Sequence, residues 1–240
     1  AYRELSEQEK KLTKGEQEFA ESEKKLEKAK ASYKKGKKEA QEKINFWRAC
    51  IISAEGVIAY AQRFSVLAAE QAAAENDPER RAELLEISRI CAKVPAEPAG
   101  TFYEAMQFVW FVQIMLHLET PAHANSLFRF DQYMYPFYKH DIEAGTITVD
   151  RVFELICSLY MKLNEPKMRT VQSLAVGGIC CESGEDACND LSKLCLEAMS
   201  TLKTPYPNMS ARVMPGKTPD WFYDEIMRTV KAGCGQPMVL

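Results

Sequence analysis

The character of this sequence changes abruptly near residue 43, and that change limits what the chain can fold into more than any other feature. Before it, Leu5, Leu12, Phe19, Leu26, Tyr33 and Ala40 recur every seven residues within a run of Glu and Lys. A seven-residue repeat keeps one narrow stripe on one side of a helix. The positions three further on, Gln8, Gly15, Ser22, Ala29 and Gly36, are small or polar, so the second seam of a coiled coil is weak. Each glycine costs about 1 kcal/mol of helix stability. Residues 1–43 therefore read as a charged heptad-repeat arm, solvated and partly helical. The alternative is a coiled-coil helix that binds a partner.

Residues 44–240 carry the pattern of a packed globular domain. Phe46, Trp47, Ile51, Val57, Ile58 and Phe64 approximate one face of a helix that runs through alanines to Asn76-Asp77-Pro78. A second helix is expected over 79–93 and ends at Val94-Pro95, because proline cannot continue the hydrogen-bond ladder. Thr101 and Glu104 form a capping-box pattern that opens a helix apolar nearly all round, the mark of a buried helix. Ala124 to Phe130 reads as strand or loop, and Thr148 to Asn164 as an amphipathic helix. Residues 170–178 alternate as a strand does and stop at two glycines. A helix over 186–202, a strand from Asn208, and a helix capped by Thr218 complete the series. Strands alternating with long helices argue for an α/β fold in which helices dominate.

A formal net charge of −3 argues against nucleic acid or an anionic membrane as the main partner. The apolar stretch Phe108 to Leu116 is too short to span a bilayer, and the Glu/Lys-rich start has no apolar core of a secretory signal. A cytoplasmic location follows as the expectation. The eight cysteines sit mostly in apolar helical stretches, where a free thiol behaves as a small hydrophobe. Cys180, Cys181, Cys188 and Cys195 match no zinc spacing, so neither a metal nor a bound cofactor is expected in this chain.

Several ordered blocks resemble one family. They are the helix, proline turn and helix of residues 83–107; Arg129-Phe-Asp-Gln-Tyr-Met-Tyr-Pro-Phe-Tyr; Gln172-Ser-Leu-Ala-Val-Gly-Gly; Tyr206-Pro-Asn-Met-Ser-Ala-Arg-Val; and Gly233-Cys-Gly-Gln-Pro. Together they are similar to the glycyl radical enzymes of the pyruvate formate-lyase and glycerol dehydratase type. The resemblance implies an internal fragment of that α/β barrel, its first half-barrel with surrounding helices. It also implies a protein glycyl radical installed by a radical SAM activating enzyme, anaerobic chemistry, a small-molecule substrate and a homo-oligomer. The Arg-Phe-Asp-Gln block resembles the eliminating branch, which points to a dehydratase-type lyase acting on a small hydroxylated or aminated substrate. Carried over, Asp131 contacts that substrate, and His123, Asn125 and Ser126 face it. The segment before Arg129 departs from the family's small, glycine-containing pattern, being Ser126-Leu-Phe. The family's catalytic cysteine loop and radical glycine motif lie beyond Leu240, so no turnover is expected from these residues alone. A formate C-acetyltransferase-like member of the same family and a non-catalytic helical interaction protein stand as alternatives.

Overall fold

The computed structural model describes residues 2–119, 124–165 and 171–240, with side chains from Lys10 onward. They form two compact units, 1–56 and 57–240.

The described residues of the first unit are all helical, being the opening part of α1 (Tyr2–Ala74). The composition break at residue 43 is therefore not a structural break. Glu, Lys, Gln and Ala are strong helix formers, and pairs such as Lys14–Glu18, Glu21–Lys25, Lys35–Glu39 and Lys38–Glu42 add a few tenths of a kcal/mol each. That support carries the helix across Gly15 and Gly36. The expected packing of Phe46, Trp47 and Ile51 is absent, since all three are exposed and this unit holds no second element to receive them. Within α1, an 18-residue window reaches a mean hydropathy of 1.2, long and apolar enough to cross a membrane by length and composition. The Phe108–Leu116 stretch is thus not the segment on which that question turns.

In the second unit, α1 resumes at Val57 and buries Ala61, Ala68 and Ala72. Ala61 packs in a cluster with Ile90, Cys91, Val94 and Phe111, which come from α2 (Pro78–Lys93), its cap and α3 (Phe102–Glu119). Asp77 caps α2 by accepting from the Glu79 N–H, with Pro78 in the first turn, where its missing N–H costs nothing. Thr101 accepts from the Glu104 N–H at 3.2 Å, as the capping pattern requires. The Glu104 carboxylate instead reaches the Gly100 N–H (2.8 Å), Lys93 (2.6 Å) and Arg89 (2.9 Å), locking α2 to the start of α3. Helix α3 is not buried all round: Val112, Leu116 and Leu118 are exposed, because neighbouring elements cover only part of its circumference.

The remaining elements are β1 (Phe128–Arg129), α4 (Phe130–Tyr133), α5 (Tyr135–Glu143), α6 (Val149–Leu163), β2 (Ser173–Gly177), α7 (Asp190–Leu202), β3 (Asn208–Arg212), α8 (Asp220–Lys231) and β4 (Met238–Val239). Helix α6 begins where the amphipathic pattern places it, with Thr148 as its cap. The start of α7 is four residues later than the sequence suggests. Asp186 instead bridges back to Ile179, and Asn189 caps the helix. Thr218 does not cap α8. Its hydroxyl accepts from the Met214 N–H and the helix starts after Pro219.

Among the described residues, four strands form a wholly parallel sheet in the order β1-β2-β3-β4. Strand residues alternate between faces. Leu174, Val176, Met209 and Ala211 are buried, in one core with Tyr160, Leu191, Cys195 and Phe222. The alternate residues Ser173, Ala175, Asn208 and Ser210 are small and only half-buried. Parallel sheets are normally covered on both faces. Here the helices α6, α7 and α8 supply the core of one face, and the other carries small, mostly polar side chains. This is the helix-dominated α/β architecture that the sequence implies.

Candidate functional site

The most heavily constrained polar group lies where β1, β2 and α7 meet. Strand β1 leads directly into α4, whose second residue is Asp131, wholly buried. Its Oδ2 accepts from the Gly177 N–H at 2.7 Å and from the Ser192 hydroxyl. The backbone carbonyl of Asp131 accepts from the Asn189 side-chain amide at 3.2 Å. Asn189 and Ser192 are themselves the two halves of the capping box that starts α7. One carboxylate therefore ties a strand end to a helix start. Its other oxygen, Oδ1, is buried without a hydrogen-bond partner.

Burial pushes the Asp131 carboxyl above the usual carboxylate range. The bonds from Gly177 and Ser192, the Gln132 amide and the charge of Arg129 act against that rise without cancelling it. Arg129 does not form an ion pair with it. Its guanidinium donates to the carbonyls of Gly177 (2.9 Å) and Ile179 (2.8 Å). These contacts brace the turn after β2, where Gly177 and Gly178 both take positive φ. A Cβ on Gly177 would lie 2.7 Å from the Phe222 ring and 2.9 Å from the Arg212 carbonyl. Only glycine fits there, so the paired glycines are explained by strand-end geometry.

Asn125 and Ser126 stand at the other end of the same strands. The Asn125 N–H donates to Val171, and the Leu127 N–H to Ser173. Ser126 donates to the Ser173 carbonyl and accepts from the Phe128 N–H. From Val171 to Gly177 is a run of roughly 20 Å along a strand. The structure therefore brings Asn125 and Ser126 together and separates both from Asp131. His123 lies outside the described residues. Phe128, where the sequence departs from the family's glycine-containing pattern, sits at φ +51°, a conformation that favours glycine.

Sequence reading missed a buried polar chain beside this segment. Gln113 on α3 donates to Gln172 (2.9 Å), and Gln172 donates to the Leu163 carbonyl (2.9 Å). His117 meets the Gln113 carbonyl and the Asn125 amide through one ring nitrogen. All of Gln113, His117 and Gln172 are buried. The one available signal was polar residues on an otherwise apolar helix; their partner lies 59 residues away. The eight cysteines are free thiols. Burial raises Cys91 to about 11 and, with Asp186, Cys188 to about 12, so neither is an activated nucleophile.

Comparison with known proteins places these features in context. A family model described as pyruvate formate lyase-like matches residues 7–240. The isethionate sulfite-lyase of Oleidesulfovibrio alaskensis is 35% identical over 215 residues, covering 83% of this chain and 26% of that protein. A glycyl radical enzyme from Archaeoglobus fulgidus matches with a TM-score of 0.70 and 40% identity, over 75% of this chain and 25% of its own. The B12-independent glycerol dehydratase of Clostridium butyricum, in its glycerol-bound form, matches with a TM-score of 0.71 and 38% identity, over 77% and 25% of the two chains. The chain thus spans about a quarter of the length of the relatives it matches.

Proposed function

The chain belongs to the pyruvate formate lyase-like family of glycyl radical enzymes, and from that premise we propose that it forms the first part of the reaction barrel of a dehydratase-type lyase. The observation that carries the reading is the one-sided sheet. Four parallel strands bury Leu174, Val176, Met209 and Ala211 under helices and present Ser173, Ala175, Asn208 and Ser210 on the other face. These small side chains leave room for a small hydroxylated or aminated molecule, and Ser173, Asn208 and Ser210 are of a kind that hydrogen-bonds it.

Ligands of parallel α/β sheets bind at the carboxyl ends of the strands. That end holds Asp131, and we assign substrate orientation to it. A carboxyl group raised by burial keeps its proton near neutral pH more readily than an exposed one. By tying the Gly177 turn to the start of α7, that carboxyl group fixes the strand-end backbone against which a leaving hydroxyl is held. Asn125 and Ser126 lie towards the opposite strand end, where they hold β1 against β2. The intact protein supplies the hydrogen-abstracting radical, stored on a glycine by a radical SAM activating enzyme. This chemistry fits an anaerobic, cytoplasmic homo-oligomer. Among the described residues, this chain's own part is to position the substrate and to form one wall that keeps water out.

The test uses the intact protein that carries this sequence, activated without oxygen and offered small vicinal diols and amino alcohols. The expected products are the aldehyde together with water or ammonia. Cleavage of pyruvate with coenzyme A would overturn the dehydratase reading in favour of formate C-acetyltransferase chemistry. A native product with neither a radical signal nor turnover would make the chain a non-catalytic interaction protein. The 240-residue chain alone is expected to give no turnover with any of these substrates.

A further inference from the structure

The heptad stripe of α1 has no covering within its own unit. Leu12, Phe19, Leu26 and Tyr33 are 67%, 66%, 55% and 74% exposed, and a Cβ added at Gly15 or Gly36 would meet nothing within 4 Å. We propose that this face is the contact for a second copy of the same chain, the two helices running antiparallel over residues 12–40.

Two independent patterns lead to that partner. The first is shape. Antiparallel helices interleave the seventh-residue stripe of one with the positions three further on in the other. With Leu26 set opposite Ala29 of the partner, Phe19 meets the partner's Gly36, Tyr33 meets the partner's Ser22 and Ala40 meets the partner's Gly15. Phe19, Leu26 and Tyr33 each face a small residue, and Leu12 falls opposite Lys43 of the partner at the end of the paired stretch. A parallel pair would set Phe19 on Phe19 and leave glycine opposite glycine, which wastes the gaps. The two glycines, costly for an isolated helix, become the places where a ring can enter.

The second pattern is charge. The positions flanking the stripe on one side are Glu16, Glu23, Lys30 and Lys37, acidic first and basic second. In the antiparallel register Glu23 falls beside Lys30 of the partner and Glu16 beside Lys37 of the partner, and the two-fold symmetry doubles both pairs. Lys30 also holds Glu27 of its own helix at 2.8 Å and would be shared between them. A parallel pair would instead set Glu18 against Glu23 and Lys25 against Lys30. On the other flank the antiparallel register sets Glu18 against Glu39 of the partner, one repulsion against two attractions, while the parallel pair gains only Lys11 against Glu16, so the charges favour the antiparallel arrangement.

The experiment measures the mass of the full chain in solution against concentration, with circular dichroism to verify that helix content is unchanged. Wild type is expected to dimerise. The double variant Glu16→Lys/Glu23→Lys should need a concentration roughly tenfold or more higher. The quadruple variant that also carries Lys30→Glu and Lys37→Glu should dimerise again with itself but not with wild type. A wild-type chain that stays monomeric would overturn the proposal, as would a quadruple variant that mixes freely with wild type. Binding of the monomer to phospholipid vesicles without self-association would overturn it in favour of a membrane-surface role.

Discussion

Replacing Asp131 separates the two demands placed on its carboxylate. In Asp131→Ala, the Gly177 N–H and the Ser192 hydroxyl lose their acceptor in a site closed to water. Each buried unsatisfied group costs about 1–3 kcal/mol, so the change should remove roughly 3–5 kcal/mol. That is a large part of the 5–15 kcal/mol typical of a whole domain. Asp131→Asn keeps a carbonyl oxygen for both donors and removes the charge. Burial raises the folded-state pKa of Asp131, so the native state prefers the protonated form. Its stability is then greatest below the unfolded value of 3.8 and declines as pH rises through the higher folded value. The asparagine variant lacks that decline. Urea unfolding of the chain between pH 4 and pH 8 should show the two proteins converging at the acid end. At neutral pH the asparagine variant should equal or exceed wild type. A variant as damaged as the alanine one, with no dependence on pH, would refute the reasoning and require a charged, paired carboxylate instead.

Other perturbations read different parts of the fold. For Glu104, burial opposes the charge, but Lys93, the Gly100 N–H and Arg89 outweigh it and hold the carboxyl down at about 2. Its stabilisation is fully present above 4.5 and is lost as pH falls from there to about 2; Glu104→Gln should cost about 2–3 kcal/mol at neutral pH and little near pH 2, checked by unfolding at both. Gly177→Ala should cost about 2–4 kcal/mol in thermal unfolding, from positive φ together with the Phe222 and Arg212 contacts. Phe128→Gly should raise stability by about 1 kcal/mol, since the ring is exposed and the backbone strain is relieved; a loss of stability there would mean that the ring packs.

The elements that sequence revealed were those with local causes. Asp77-Pro78 starts α2, Thr148 starts α6, and the alternation from Gln172 stops where Gly177 and Gly178 turn the chain. Where the sequence misled, a distant partner decided. Helix α7 begins at Asp190 because Asp186 is drawn back to Ile179, and the Asp131 carboxylate is taken by Ser192, 61 residues away. No periodicity encodes such a meeting. The break at residue 43 is real in composition, yet helix formation depends on residue type and near neighbours, and these are favourable on both sides of it. The block that carries Asp131 was legible. Its separation from Asn125 and Ser126 was not, since that depends on which strand ends pair.

The account stands on the small-residue face of the sheet being the wall of a reaction chamber. Turnover by the intact, activated protein carrying Ala175→Trp tests this most directly, with the radical signal as a measure of correct assembly. A ring on that face should fill the space meant for substrate, and turnover should fall by at least about a hundredfold with the radical retained. Undiminished turnover in that variant would contradict the account.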